Sequence, residues 1–135
     1  MKSEPYQYKT HCPINFALET FGDRWSLLII RDMIFLHKRH FGEFINSREE
    51  ISTNILADRL EKLAARGLIN KEPDPENRSK FIYSPTLKGL DLIPIMLEIN
   101  LWSDKYDSQT DVPRSVIMKI KKNKDKYIKE LRGAF

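Results

Sequence analysis

The most regular pattern of apolar and polar positions in the chain lies in residues 51–69. On a helix of about 3.6 residues per turn, four apolar residues share one side, namely Leu56, Leu60, Leu63 and Ala64. Ser52 stands where a hydroxyl can accept an unpaired backbone N–H, and Gly67 stands where a left-handed residue commonly ends a helix. The pattern therefore predicts one amphipathic helix with both ends defined.

The residues on either side of this helix predict a helix-turn-helix followed by a β-hairpin. A short helix is predicted at residues 41–45. After Gly67, residues 68–73 and 80–85 predict two strands, and the turn between them is rich in proline, aspartate and asparagine. Phe81 and Tyr83 are expected on one side of the second strand. A helix that leads directly into a hairpin is typical of a winged helix, with the hairpin as the wing.

Two helices are predicted before this motif. Proline suits the first position of a helix, so Pro13 begins the first one and Cys12 lies at its cap. Asp23 is a suitable cap for the second helix, whose apolar run at residues 27–30 predicts a central place in the core.

Two more helices are predicted after the hairpin. One is capped by Thr86 and runs to Tyr106, with a kink at Pro94 because proline removes a backbone hydrogen bond. The last begins near Pro113 and places its lysines away from an apolar stripe. The helices at residues 12–22 and 86–106 carry more apolar surface than a small core can cover, and we expect them to form a dimer interface.

The fold class is thus predicted as mainly α with a small β-hairpin, a winged helix-turn-helix domain with added N- and C-terminal dimerisation helices. We divide the chain into a flexible N-terminus at residues 1–11, the winged helix-turn-helix domain with its dimerisation helices at 12–110, and a basic C-terminal helix at 111–135. The chain has 135 residues, 41% of them hydrophobic, which is enough for one domain with a core. It has no long apolar segment and no signal-peptide pattern, so a soluble cytoplasmic protein without membrane contact is expected.

The positive charge of the chain is concentrated at its C-terminal end. The formal net charge is +4, but residues 112–135 hold eight lysines and arginines against two acidic residues. Residues 1–111 hold 15 basic and 17 acidic residues. Total charge therefore does not favour DNA binding by the main domain, and any such function must depend on the positions of individual residues.

Five segments in order resemble one family of transcriptional regulators. These segments are CPINFAL, FGDRWSLLIIRDM, FGEF, ISTNILADRLEKLAARGLI, and YSPT followed by Gly89. Together they resemble the HxlR-type winged helix-turn-helix regulators from Cys12 to about Trp102. The resemblance implies a homodimer that binds double-stranded DNA at a near-palindromic operator. It also implies that the cysteine of the CP pair senses oxidants or electrophiles. An alternative effector is a small ligand that acts near the dimer interface.

Eight residues are candidates for DNA contact. They are Ser52, Thr53, Asn54, Asp58, Arg59 and Lys62 on the helix, and Arg78 and Lys80 on the wing. Asparagine pairs well with adenine and arginine with guanine, whereas Asp58 either accepts from cytosine or repels phosphate. Lys38, Arg39 and His40 are a further possible phosphate-facing group. Two alternatives stay open: a solvated helix face, and a winged helix that binds proteins without specific DNA binding.

Cys12 is the candidate redox-sensing residue. A helix N-terminus lowers the pKa of a thiol only modestly, and an isolated cysteine is often a small buried apolar residue. Because the chain has no second cysteine, sensing would require a thiol adduct or a Cys12–Cys12 bridge between subunits. No cofactor, metal site or catalytic motif is predicted, so an enzyme is not expected.

Overall fold

The computed structural model describes residues 6–135 of the chain. Its elements in order are α1 (Pro13–Phe21), α2 (Ser26–Phe35), α3 (Phe41–Phe44), α4 (Thr53–Ala65), β1 (Ile69–Pro73), β2 (Phe81–Pro85), α5 (Leu87–Leu90), α6 (Ile93–Tyr106) and α7 (Arg114–Arg132). The strands form one antiparallel two-stranded sheet. The predicted fold class, mainly α with a small β-hairpin in a winged helix-turn-helix, is confirmed.

The core is built around α2 and the inner side of α4. Ile30, Met33 and Ile34 of α2 are completely buried. Leu56, Leu60 and Leu63 of α4 are also buried, and α5, α6 and α7 contribute further aliphatic residues to the same cluster. Burial of these side chains is the main source of the stability of the fold, at roughly 1.5–3 kcal/mol for each fully buried side chain.

Both ends of α4 form as predicted. Ser52 Oγ accepts a hydrogen bond from the backbone N–H of Ile55 at 3.3 Å. Gly67 has a positive φ of 76°, and the next residue, Leu68, donates its N–H to the carbonyl of Leu63 at 3.0 Å. This left-handed turn ends the helix and directs the chain into β1.

The hairpin is attached to the body of the domain at its base. Tyr83 is paired with Lys71 and donates its N–H to the carbonyl oxygen of Arg39, which precedes α3, at 2.8 Å. Tyr83 is buried, whereas Phe81 is 42% exposed and lies under the ammonium of Lys71. The expected alternation is present, but only Tyr83 reaches the core, because Phe81 lies farther out along the wing.

The prediction of a single kinked helix at residues 86–106 is wrong, because the structure has two helices there. Thr86 caps α5, as predicted, by accepting from the N–H of Gly89 at 3.1 Å. The chain then turns at Asp91 and Leu92, and Pro94 lies in the first turn of α6 rather than inside a continuous helix. Proline is well tolerated there because the first backbone N–H groups of a helix have no partner within it.

The last helix is also interrupted, at Asn123, which has φ −160° and ψ 89°. The side-chain oxygen of Asn123 accepts from the N–H of Lys126 at 3.1 Å and so caps the second segment of α7. Beyond α7 the terminal residue Phe135 stacks on His37, with 5.8 Å between ring centroids. It also lies 4.6 Å from the guanidinium carbon of Arg39. The predicted final helix is therefore two helical segments, followed by an aromatic contact beside α3.

Part of the predicted flexible N-terminus, residues 1–5, lies outside the described residues. The rest is joined to α1 through Glu19. Tyr6 donates its hydroxyl to Glu19 Oε1 at 2.9 Å, and the N–H of Lys9 donates to Glu19 Oε2 at 3.1 Å. Residues 6–11 thus have defined contacts although they form no helix or strand.

Candidate nucleic-acid interface

The first turn of α4 presents two polar side chains to solvent. Thr53 and Asn54 are both exposed. Among the side-chain hydrogen bonds of residues 6–135 none involves either of them, whereas the neighbouring Ser52 is occupied as the helix cap. Thr53 and Asn54 therefore keep their full hydrogen-bonding capacity for a partner outside the chain.

The charged residues of α4 are largely paired with one another. Asp58 bonds the guanidinium of Arg59 and lies 3.1 Å from Lys62 Nζ. The hydrogen bond from Lys62 is the main reason why the pKa of Asp58 is lowered. The negative charge that made Asp58 ambiguous is thus compensated within its own helix.

Arg59 faces the start of α2. Its Nε lies 2.8 Å from Asp23 Oδ2, and its side chain is only 24% exposed. The same Asp23 oxygen accepts from the backbone N–H groups of Trp25 and Ser26, at 3.0 and 3.1 Å. Asp23 therefore stabilises the turn that leads into α2, whereas the N-cap position itself is occupied by Trp25, so the predicted cap is two residues too early. Partial burial raises the pKa of Asp23, but hydrogen bonds from Ser26 and Arg59 outweigh it and lower the pKa to about 2. Arg59 thereby joins α4 to α2.

The turn of the wing brings Arg78 and Lys80 to the surface. Asp74 donates its N–H to the carbonyl of Lys80 at 2.9 Å, and Lys80 donates its own N–H to the carbonyl of Asn77 at the same distance. The Asn77 side-chain oxygen accepts from the N–H and the hydroxyl of Ser79. The turn is thus held by its own polar groups. Arg78 and Lys80 are exposed and form no ion pair with the described residues.

His40 connects the start of α3 to the wing. Its Nδ1 lies 2.9 Å from Glu43 Oε1, and its Nε2 lies 3.1 Å from Oδ2 of Asp74, which is 8% exposed. The hydrogen bonds to Glu43 and then Asp74 raise the pKa of His40. The imidazole of His40 therefore joins the wing to the helix-turn-helix, and its hydrogen bonds to Glu43 and Asp74 are strongest when it is protonated.

The basic connector before α3 points its other cations inward. Lys38 Nζ lies 3.0 Å from the carboxylate of Asp32, a side chain that is 2% exposed. Arg39 donates to the carbonyl of Met33 at 2.9 Å. Arg31 contributes a second cation to Asp32 and bonds both oxygens of Glu49 at 2.8 Å. Lys38 and Arg39 thus bind groups of the domain itself. The ion pair between Arg31 and Glu49 holds the loop that precedes α4.

Cys12 lies at the exposed N-terminal end of α1. The backbone N–H groups of Asn15 and Ile14 lower the pKa of its thiol because they favour the thiolate. The alternative of a small buried apolar residue does not apply within this single chain, because the thiol is in contact with solvent.

Two helices expose apolar side chains that one subunit leaves uncovered. In α1 only Thr20 is buried, while Ile14 is 72% and Leu18 60% exposed. In α6, Trp102 and Tyr106 are each 66% exposed. Exposed aromatic and aliphatic groups in such number commonly mark an interface.

A family model described as HxlR-like helix-turn-helix matches residues 20–111. The chain belongs to this family. In agreement with the fold, it is a transcriptional regulator of the winged helix-turn-helix type.

Individual relatives agree with this assignment. The HTH-type transcriptional regulator YodB of Bacillus subtilis is 34% identical over 98 residues, which cover 72% of this chain and 87% of that protein. The structure of reduced YodB is similar with a TM-score of 0.59 at 29% identity, covering 76% of this chain and all of the other. The redox regulator HypR in its oxidised form gives a TM-score of 0.62 at 30% identity, covering 75% of this chain and all of the other.

The match to the HxlR-like family includes the helix-turn-helix and wing but leaves out both ends of the chain. Cys12 precedes the matched residues, and the whole C-terminal region after Asp111 follows them. Within residues 6–135, no helix has both the length and the apolar character needed to cross a membrane. The same residues contain no group of three or more His, Cys, Asp or Glu side chains suited to a metal ion.

Two connections of the site were not predicted from the sequence. Asp23 was predicted only as a helix cap and His40 only as a possible phosphate contact, whereas they join α2 to α4 and α3 to the wing. Their partners lie 36 and 34 residues away in the sequence. An aspartate or a histidine just before a helix suggests a local role. The pairs Asp23–Arg59 and His40–Asp74 join distant segments, so the periodicity of the sequence does not indicate them.

Proposed function

We propose that this protein is a homodimeric, sequence-specific DNA-binding regulator that reads a near-palindromic operator. The observation that carries the proposal is the exposed first turn of α4, where Thr53 and Asn54 have no hydrogen-bond partner in the described chain. The first residues of a recognition helix are those that reach base edges in the major groove. An asparagine at this place can bond adenine through two hydrogen bonds.

The wing supplies the cations that α4 does not. Arg78 and Lys80 are exposed and unpaired within the described residues, so they are suited to phosphates or to the minor groove beside the recognition helix. Ser52, Asp58, Arg59 and Lys62 remain predicted contacts. For Asp58, Arg59 and Lys62, binding to DNA would require exchange of the ion pairs that they make in the free chain.

A dimer follows from the uncovered apolar side chains of α1 and α6. A twofold dimer would double the small set of contacts on each α4 and wing, and it would place the two recognition helices about one DNA turn apart. This spacing is the reason for expecting a near-palindromic operator.

The DNA proposal is tested by fluorescence anisotropy with the DNA upstream of the protein's own gene, measured over a series of salt concentrations. We expect saturable binding that weakens with salt by a slope of about 0.9 per phosphate contacted. A scrambled duplex of equal length is the control. Equal binding to both duplexes, or none to either, would favour the protein-interaction module without specific DNA binding.

The dimer proposal is tested by analytical ultracentrifugation of the full chain and of Trp102→Asp. The wild type is expected to sediment as a dimer and the variant as a folded monomer with reduced operator affinity. Met118→Asp is the matched control, because Met118 is also exposed, at 69%, but lies on α7. A monomeric wild type, or a Trp102→Asp variant that stays dimeric, would contradict this interface.

A second function, switching by oxidants or electrophiles at Cys12, is favoured by the exposed thiol with its lowered pKa. The redox regulators similar to this chain support the same proposal. The thiolate would add to a quinone, forming one S–C bond with the quinone becoming a substituted hydroquinone. Alternatively, hypochlorite would oxidise two Cys12 thiols to one intersubunit disulfide, leaving chloride and water.

Operator binding by the wild type and Cys12→Ser, with and without benzoquinone or hypochlorite, tests the switch. We expect only the wild type to change its affinity, with mass spectrometry showing an adduct or a disulfide-linked dimer. The same response in both proteins rules out Cys12 as the sensor, and a small ligand near the dimer interface would then be the remaining proposal.

A further inference from the structure

The interruption of α7 creates a concavity on the C-terminal helix. A continuous helix presents a convex surface, whereas the extended backbone at Asn123 changes the direction of α7 between its two segments. The resulting cavity has a volume of about 320 Å³, near the lower end of the range for small-molecule sites. Its lining residues are Lys119, Lys122, Asn123, Lys126, Tyr127 and Glu130.

The cations of α7 fall into a paired and an unpaired set. Arg114, Lys124 and Arg132 are paired with acidic residues of α6 or of the turn before it: Asp104, Glu98 and Asp91. Lys119, Lys122 and Lys126 form no ion pair with any residue of the described chain. Lys121 and Lys129 are likewise unpaired within the described chain, but they do not line the cavity. The paired set thus holds α7 against the domain, and the three cavity lysines give the cavity a positive charge that only Glu130 partly offsets.

The cavity also has an aromatic wall and an amide. Tyr127 is 9% exposed, and its ring lies 5.5 Å from Lys119 Nζ. The amide nitrogen of Asn123 adds a hydrogen-bond donor close to the lysines. Ammonium groups beside the small exposed part of this tyrosine suit a small molecule that combines an apolar ring with an anionic group.

We propose that the interruption of α7 is a binding site for a small organic anion, a ring that carries a phosphate or carboxylate group. The ring contacts the part of Tyr127 that remains exposed, and the anionic group accepts hydrogen bonds from Lys122, Lys126 and the Asn123 amide. A DNA backbone fits less well, because a duplex presents phosphates along a convex rod and offers no ring to fill the concavity.

The position of this site connects it to the helix-turn-helix. The second segment of α7 leads directly to Phe135, which contacts His37 and Arg39, and the carbonyl of Arg39 accepts from Tyr83 of the wing. A ligand bound at the interruption therefore changes the position of the second segment of α7, and with it the contacts of Phe135 near the base of the wing. This regulatory part rests on the proposed function, whereas binding of the anion does not.

Binding is tested without DNA by ¹H–¹⁵N NMR titration of the full chain with phenyl phosphate. We expect saturable shifts confined to the amides of residues 119–130, with weaker effects from inorganic phosphate and none from benzyl alcohol. Lys122→Gln/Lys126→Gln should weaken binding about tenfold or more, since two charged donors are lost. Lys121→Gln/Lys129→Gln removes the same charge from α7 outside the cavity and should change affinity less than about twofold.

Equal weakening by both double variants, or no saturation at about 10 mM phenyl phosphate, where a millimolar site would be mostly filled, overturns the proposal. If both variants lose operator affinity equally while phenyl phosphate does not bind, the basic side of α7 contacts DNA instead.

The regulatory part is tested by operator affinity with and without phenyl phosphate. Binding at α7 that leaves operator affinity unchanged overturns that part alone, and an absence of operator binding is a failure of the proposed function.

Discussion

Helix α4, which we propose to read DNA, and the C-terminal helix α7 are both amphipathic, but they use their charged residues in opposite ways. In α4 two acidic and two basic residues balance, and Asp58, Arg59 and Lys62 are held in ion pairs. In α7 eight basic residues face two acidic ones, and three lysines surround a cavity without acidic partners in the described chain. The helix with the largest positive charge is thus not the helix proposed to read DNA.

This difference separates attraction from recognition. Unpaired charge attracts any anion, whereas neutral hydrogen-bonding groups can discriminate between base edges, which is the role we propose for Thr53 and Asn54. The ion pairs of α4 keep its outer side from binding anions broadly. In the proposed function, the first turn of α4 supplies specificity for the DNA sequence, and Arg78 and Lys80 of the wing supply attraction to the phosphates.

The largest effect on stability is expected from substitutions in the buried apolar stripe, a feature that α4 and α7 share. Leu60→Ala in α4 and Ile120→Ala in α7 should each lower the free energy of unfolding by about 2–5 kcal/mol. Both side chains belong to one apolar cluster, so urea denaturation should give a single transition in each variant. Glu61→Ala, at an exposed position of α4, should stay within about 0.5 kcal/mol of the wild type. Two separate transitions would mean that α7 is an independent unit.

The next effect concerns DNA affinity. Asn54→Ala should weaken operator binding by about 1–3 kcal/mol and leave the salt slope unchanged, because it removes a base contact. Arg78→Ala should weaken binding to every sequence and reduce the salt slope by about one. Lys121→Gln on α7 is the control and should change neither quantity. If the lysine variant reduces the salt slope as much as Arg78→Ala, attraction is shared with α7 and the contrast fails.

Arg59 provides a smaller test of the ion pairs in α4. A double-mutant cycle of Asp23→Ala and Arg59→Ala should give a coupling of about 1 kcal/mol or less, since both groups are partly exposed. Because the pKa of Asp23 is lowered to about 2, its contribution is complete above its ordinary pKa and is lost as the pH falls towards 2. In Arg59→Ala this acid loss should be smaller and should be complete at a higher pH, because the pKa of Asp23 in the folded state is then lowered less. A large loss of operator affinity without coupling would instead assign Arg59 to DNA contact.

The smallest effect is expected at His40. Because the pKa of His40 is raised in the folded state, protonated His40 stabilises the fold. This contribution is complete below about pH 6.5, the ordinary pKa of histidine, and is lost as the pH rises through the raised pKa. The free energy of unfolding of the wild type should therefore fall between pH 6 and 8, relative to His40→Gln, by about 0.5 kcal/mol or less, because the side chain is 39% exposed. Chemical denaturation at several pH values measures this difference, and parallel curves for the two proteins would show that His40 does not hold the wing.

Much of the fold was predictable from the sequence because its signals are local. The leucine spacing of α4, its serine cap and the left-handed Gly67 each act within a few residues, and the structure has all three. The wing followed from two short strands with turn residues between them. The helix boundaries near Pro94 and Asn123 were predicted wrongly, because the energies that separate a kink from a break are small beside the packing of the surrounding helices.

The sequence by itself determined the element types, the buried stripes and the lack of excess positive charge in the main domain. Only the tertiary structure decided which charged residues remain available. Asp23 and Arg59, or His40 and Asp74, become partners because the core brings distant segments within hydrogen-bonding distance. Such pairs have no periodic signature in the chain, so the same packing that forms the core also selects Thr53, Asn54, Arg78 and Lys80 as the groups left free.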